Sequence, residues 1–100
     1  MKPTTKSVGG TSFHESVINC SVATLKKVLG EPSYDANDGQ DKVNFDWDME
    51  TSTGDVFTVY DWKEYRSLNE NEMIEWHIGG MNRSVTEQAK REIREAIAKV

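Results

Sequence analysis

The side chains best suited to chemistry in this 100-residue chain are carboxylates. Asp46, Asp48 and Glu50 alternate with apolar residues in Val43-Asn44-Phe45-Asp46-Trp47-Asp48-Met49-Glu50, so an extended strand puts all three on one face. Asp46 and Asp48 then stand roughly 7 Å apart along the strand. Paired carboxyls do acid–base work when their surroundings drive their pKa values apart. No flanking residue marks either one as selectively desolvated, so a solvated sheet face is the simpler reading. Asp35, Asn37, Asp38, Asp41 and Asp46 also suggest a calcium loop. Counted from Asp35, however, Gly39 falls fifth and Asp46 twelfth, whereas an EF-hand needs glycine sixth and a bidentate glutamate twelfth. His14, Cys20 and His77 lack zinc-site spacing. Cys20 precedes a helix start, which would lower its pKa if it were exposed. It reads better as a small apolar residue at a buried strand end. No metal or cofactor is expected.

A different chemistry is suggested by Trp76-His77-Ile78-Gly79-Gly80-Met81-Asn82-Arg83-Ser84. Two glycines permit a tight turn, and a helix follows at once. Free N–H groups and the helix dipole receive anions at such a place. His77, Gly79, Gly80, Asn82 and Arg83 would form the site, and a nucleotide is the ligand class it suits. The longer glycine fingerprint of a phosphate-binding loop is missing.

These residues must be positioned by a small number of elements. Phe13–Cys20 is a plausible first strand. Ser21 caps a helix with Val22, Leu25, Val28 and Leu29 at helical spacing, ended by Gly30 and Pro32. Val43–Glu50 and Val56–Trp62 flank the turn Thr51-Ser52-Thr53-Gly54-Asp55 and predict an antiparallel hairpin. The second of these strands is apolar on both faces, which suits a central strand or an outer face that meets something. Met73–Ile78 is the last strand. Ser84 and Glu87 form a capping box for a final helix with an apolar stripe of Val85, Ala89, Ile93, Ala96, Ile97 and Val100. Glu87/Arg91, Arg91/Glu95 and Glu95/Lys99 are spaced as ion pairs on its wet side. The order β-α-β-β-β-α predicts a single α+β two-layer domain: a mostly antiparallel four-stranded sheet with two helices on one face. Residues 1–10 read as a flexible lead-in and residues 11–100 as the domain. The three tryptophans are expected mostly in the core.

Composition narrows the partners. Hydrophobic residues are 36% and charged residues 29%, as in a soluble globular domain. No apolar run is long enough to span a membrane, and Met1–Lys6 does not read as a signal peptide. One cysteine excludes an internal disulfide and fits a reducing cytosol. The net charge of −5 is uneven: residues 1–30 carry +3, 31–55 carry −7, 56–80 carry −3 and 81–100 carry +2. An acidic centre argues against nucleic acid and for a partner with a basic surface. If the helices cover one sheet face, the other carries some of Phe57, Val59, Tyr60 and Trp62 among acids, the pattern of an interface core with a polar rim. Asp46, Asp48, Glu50, Tyr60 and Asp61 are the expected contact residues, with a protein partner or in a homodimer.

Four short motifs occur in order: Gly10-Thr11-Ser12-Phe13, Leu29-Gly30-Glu31-Pro32, Tyr60-Asp61-Trp62-Lys63 and Trp76-His77-Ile78-Gly79-Gly80. Over about residues 10–98 the chain resembles a group of small bacteriophage proteins that have no settled activity. The helix-Leu-Gly-x-Pro-hairpin segment is more weakly similar to beta-lactamase inhibitor protein-like and outer-membrane-assembly lipoprotein modules, which are binding modules. It lacks their signal peptide and lipobox cysteine. The resemblance implies a role in the cytoplasm of an infected bacterium and brings no catalytic residues. Together with size, acidity and the missing catalytic set, it leads to an expected non-enzymatic inhibitor of a host protein, an anti-CRISPR or immune-signalling antagonist. The alternative is a sponge for a nucleotide signal at Gly79-Gly80.

Overall fold

Alternation along Phe45–Glu50 becomes a two-sided strand in the computed structural model, which describes residues 1–100. Phe45, Trp47 and Met49 point into the core, and Asp46 and Asp48 point away. The elements are β1 (Lys2–Pro3), β2 (Ser12–Cys20), α1 (Val22–Leu29), β3 (Tyr34–Asp35), β4 (Phe45–Glu50), β5 (Val56–Tyr60), β6 (Ile74–Gly80) and α2 (Arg83–Ala98). All strand pairings are antiparallel, in the order β1-β4-β5-β6-β2, and β3 also pairs with β4. This is the expected α+β architecture of four principal strands and two helices. Two 2-residue strands make the sheet six-stranded. Both lie against β4 and protect an edge that would otherwise expose a row of unpaired backbone groups.

The inner sheet face and both helices share one core. Val22, Leu25 and Leu29 of α1 and Val85, Ala89 and Ile93 of α2 pack with Phe57, Val59, Trp76 and Ile78. Trp47 and Trp76 meet edge to face at 5.5 Å between ring centroids. Their indole N–H groups donate to Gly30 O at 2.9 Å and Cys20 O at 2.8 Å, so neither ring buries an unsatisfied donor. Trp62 departs from expectation: it is 41% exposed.

Helix α1 is capped as its residues predict. Ser21 Oγ accepts the Thr24 N–H at 3.1 Å, and Gly30 closes the helix at φ 86°. Helix α2 is not. Asn82, rather than Ser84, is the N-cap, accepting the Val85 N–H at 3.0 Å. Ser84 already lies within the helix, so the Ser84/Glu87 capping box does not form, and Glu87 Oε1 instead accepts from Ser16 Oγ on β2 at 3.0 Å. The ion pairs spaced for this helix are also absent, and Arg83–Glu87 at 3.9 Å is the pair that forms.

The lead-in is also placed differently. Lys2 and Pro3 pair with Glu50 and Met49, and Thr4 N donates to Asp48 O at 3.2 Å. The first residues thus extend the sheet instead of trailing from it. On the opposite edge, Phe13 pairs with Gly79 but Val17 with His77, so β2 has two more residues than β6 between these points. Glu15 absorbs this bulge at φ 69° and Ser16 turns into the core, the re-aiming that a bulge produces.

Candidate functional site on the uncovered sheet face

Both helices lie on one face, which leaves the other free of any covering helix. Strand register builds the free face in rungs. Asp46 stands opposite Tyr60, which stands opposite His77, followed by Val17. Asp48, Thr58, Gly79 and Phe13 form the next rung. Side chains in such cross-strand rows touch.

An aromatic strip results. Phe13 stacks on His77 with centroids 4.1 Å apart. Trp62 is near-parallel to His77 at 6.3 Å, and Tyr60 meets His77 at 5.6 Å and Trp62 at 6.0 Å, both edge to face. Partial burial holds the His77 pKa below its ordinary value, against the charges of Glu75 and Glu15, so the ring is neutral at pH 7 and stacks as an aromatic. Lys63 and Lys42 lie 5.5 and 5.9 Å from the centre of the Trp62 ring. The Lys63 N–H donates to Lys42 O at 2.7 Å and ties their two loops together.

Asp46 and Asp48 border this strip. Ser33 fastens the strand beside them: its N–H donates to Asp46 O at 2.7 Å, and its hydroxyl accepts the Asp48 N–H at 3.0 Å. Contrary to the even, solvated row expected, Asp46 is substantially desolvated. Burial, then the charge of Asp48 and a hydrogen bond to it, pushes the Asp46 carboxyl up to about 7. Burial and the Asp46 charge also raise the Tyr60 phenol.

Of the expected contact residues, Asp46, Asp48 and Tyr60 therefore share one surface, and two others are withdrawn from it. Asp61 is fully buried. Its Oδ1 accepts the N–H of Asn44 at 2.8 Å and of Phe45 at 2.9 Å, and its Oδ2 accepts from Asn44 Nδ2 at 3.0 Å. It serves the fold, because the start of β4 presents donors that need an acceptor. Glu50 lies beneath the N-terminal segment. Thr4 Oγ1 donates to its Oε2 at 2.6 Å, and Lys2 and Lys6 stand 3.7 Å away. That hydroxyl bond, aided by both ammonium groups, lowers its pKa.

The residues expected to cradle an anion are built into strand β6 and the cap and first turn of α2. Gly79 and Gly80 continue β6 and are buried rather than forming a turn. A Cβ on Gly79 would sit 2.6 Å from Thr58 Oγ1, and one on Gly80 would sit 2.8 Å from Thr86 Cγ2. Their missing side chains are thus replaced by packed threonines, not by ligand space. Asn82 takes the first helical donors through Val85 N at 3.0 Å and Thr86 N at 3.3 Å. Arg83 points to solvent beside Glu87, and His77 belongs to the aromatic strip.

Phe13 was not legible as a site residue, because the bulge at Glu15 sets its place opposite Gly79. Lys42 meets Trp62 only through tertiary contact, which no local pattern signals. Phe57 and Val59, weighed for the outer face, lie inside.

Cys20 is buried at the end of β2, and that burial pushes its thiol up to about 11. No group of three or more His, Cys, Asp or Glu side chains is arranged to hold a metal ion. The single cavity, about 400 Å³, is open and lined by Met1, Val28, Ser52, Glu92, Glu95, Ala96 and Lys99. It contains none of the expected site residues. No helix is long and apolar enough to cross a membrane. No protein-family model matches the chain, and no curated protein does.

Proposed function

We propose that this protein is a non-enzymatic binding protein that docks its uncovered sheet face onto a basic surface of another protein. The observation supporting this reading is the strip of Phe13, His77, Tyr60 and Trp62, bordered by Asp46 and Asp48. Rigid aromatic rings that already contact one another lose little entropy on docking, and such anchors dominate interface energies. Neighbouring carboxylates steer a basic surface toward them. The resemblance to small bacteriophage proteins suggests the setting: an accessory protein in the host bacterial cytoplasm that inhibits a host defence component. The nucleotide-sponge reading gains no such support, since Gly79 and Gly80 are packed against Thr58 and Thr86.

Capture from a bacterial lysate tests the reading when variants are compared. Tyr60→Ala with Trp62→Ala is expected to keep the fold and lose any specific partner. Arg91→Glu, on the exposed side of α2, is expected to retain it. Truncating an anchor typically weakens a complex by more than about 1 kcal/mol, roughly fivefold or more. A partner retained by the double variant and lost by Arg91→Glu would move the interface to the helices.

A further inference from the structure

Asp48 Oδ1 is the one buried side-chain polar atom in the molecule with no hydrogen-bond partner. A buried acceptor without a donor is costly, and each such atom requires an explanation. Asp46 stands two residues back on the same face of β4, so its carboxyl is the neighbouring acid of Asp48 along the strand. Two bare carboxylates in that position repel. One proton between them removes the repulsion and supplies the missing donor.

The surroundings offer no other remedy. Across the sheet the pair faces Tyr60 and Thr58 of β5 and Tyr34 of β3. Neither tyrosine nor Thr58 donates to Asp48 Oδ1. Asp35 follows Tyr34 but pairs with Phe45, on the opposite side of β4, where its charge acts on Lys26. On β4 itself the next titratable group is Glu50, which engages Lys2, Lys6 and Thr4. No Lys, Arg or His forms an ion pair with Asp46 or Asp48 among the salt bridges of the fold. His77 lies one strand beyond Tyr60, stacked on Phe13.

We propose that Asp46 and Asp48 share a single proton, so that the uncovered sheet face carries one negative charge from this pair up to neutral pH and two above it. The position of the Asp46 carboxyl, about 7 on the pH scale, agrees with the geometry. The consequence for binding rests on the proposed docking function: a basic partner would bind more tightly as pH rises through neutrality. The shared proton itself needs no partner to be observed.

Side-chain carboxyl ¹³C NMR of the intact protein between pH 4 and 9 reads it directly. Asp46 is expected to titrate near pH 7. Asp46→Asn is expected to abolish the neutral-range transition and to fold, because its carboxamide can donate to Asp48 in place of the proton. Relative to Asp46→Asn, the wild-type melting temperature should fall between pH 5 and 7 and level off above pH 8. His77 is common to both proteins and cancels in that comparison. Titration of the wild-type Asp46 carboxyl below pH 5 would overturn the proposal. So would an unchanged pH response of the melting temperature in Asp46→Asn. Partner binding that does not strengthen as pH rises through neutrality, with neither of those results obtained, would count against the docking function alone.

Discussion

Asp61 and Asn44 clamp the start of β4 to the end of β5. Asp61 accepts the backbone N–H of Asn44 at 2.8 Å and its amide Nδ2 at 3.0 Å. Asn44 in turn donates to Arg66 O at 2.9 Å and accepts the Gly39 N–H at 3.0 Å. Both side chains are buried. The acidic loop before β4, which at first suggests calcium, is thus organised by hydrogen bonds to its own neighbours.

Asp61→Ala is expected to leave the Asn44 and Phe45 N–H groups without their acceptor, for a loss of about 2–5 kcal/mol. Asp61→Asn keeps one oxygen for those N–H groups but sets an amide against Asn44 Nδ2, for a smaller loss of about 1–3 kcal/mol. Urea unfolding midpoints of the two variants check the order. A neutral Asp61→Ala change would return this residue to the surface.

Gly79→Ala separates a packing role from a ligand role. The new Cβ meets Thr58 Oγ1 at 2.6 Å, so a destabilisation of about 1–3 kcal/mol is expected from overpacking. Removing the hydroxyl with Thr58→Ala should restore much of it. A double-mutant cycle measured by thermal unfolding reads that coupling. Additive effects would show that the two residues do not compete for the same space.

Cys20 should be chemically silent in the folded protein. Its thiol is buried and shifted up to about 11, whereas reaction requires an accessible thiolate. Ellman's reagent at pH 8 is expected to give no rapid release of chromophore until denaturant is added. One equivalent should then react. Immediate reaction of the native protein would contradict the burial.

The bond between Thr4 and Glu50 makes stability depend on pH in a defined direction. Glu50 has its pKa lowered by the Thr4 hydroxyl first, then by Lys6 and Lys2. A carboxyl whose folded pKa lies below its unfolded value stabilises the fold above the unfolded pKa, and that stability is lost as pH falls through the folded pKa. Thr4→Val should therefore destabilise the protein at pH 7 and lose much of that effect at pH 3. Urea denaturation at the two pH values checks the sign. An equal loss at both would assign the effect to packing of the N-terminal segment.

Local pattern alone determined the main elements. The alternation of Phe45, Trp47 and Met49 with Asp46 and Asp48 states which side of β4 faces the core, because side chains alternate along any strand. Ser21 and Gly30 mark the ends of α1 because their backbone and side-chain properties act within one helical turn. Tertiary structure decided what lies on the uncovered face. Glu50 has the parity of an exposed residue, yet β1 pairs with it and Thr4, 46 residues away in sequence, bonds to its carboxylate. Asp61 has the parity of Phe57 and Val59 and is buried with them, because it satisfies donors on β4. Phe13 reaches His77 through a bulge that no periodicity reveals. Register, edge coverage and hydrogen-bond demand arise between segments distant in the chain, so a period-two pattern assigns the faces of a strand without naming their neighbours.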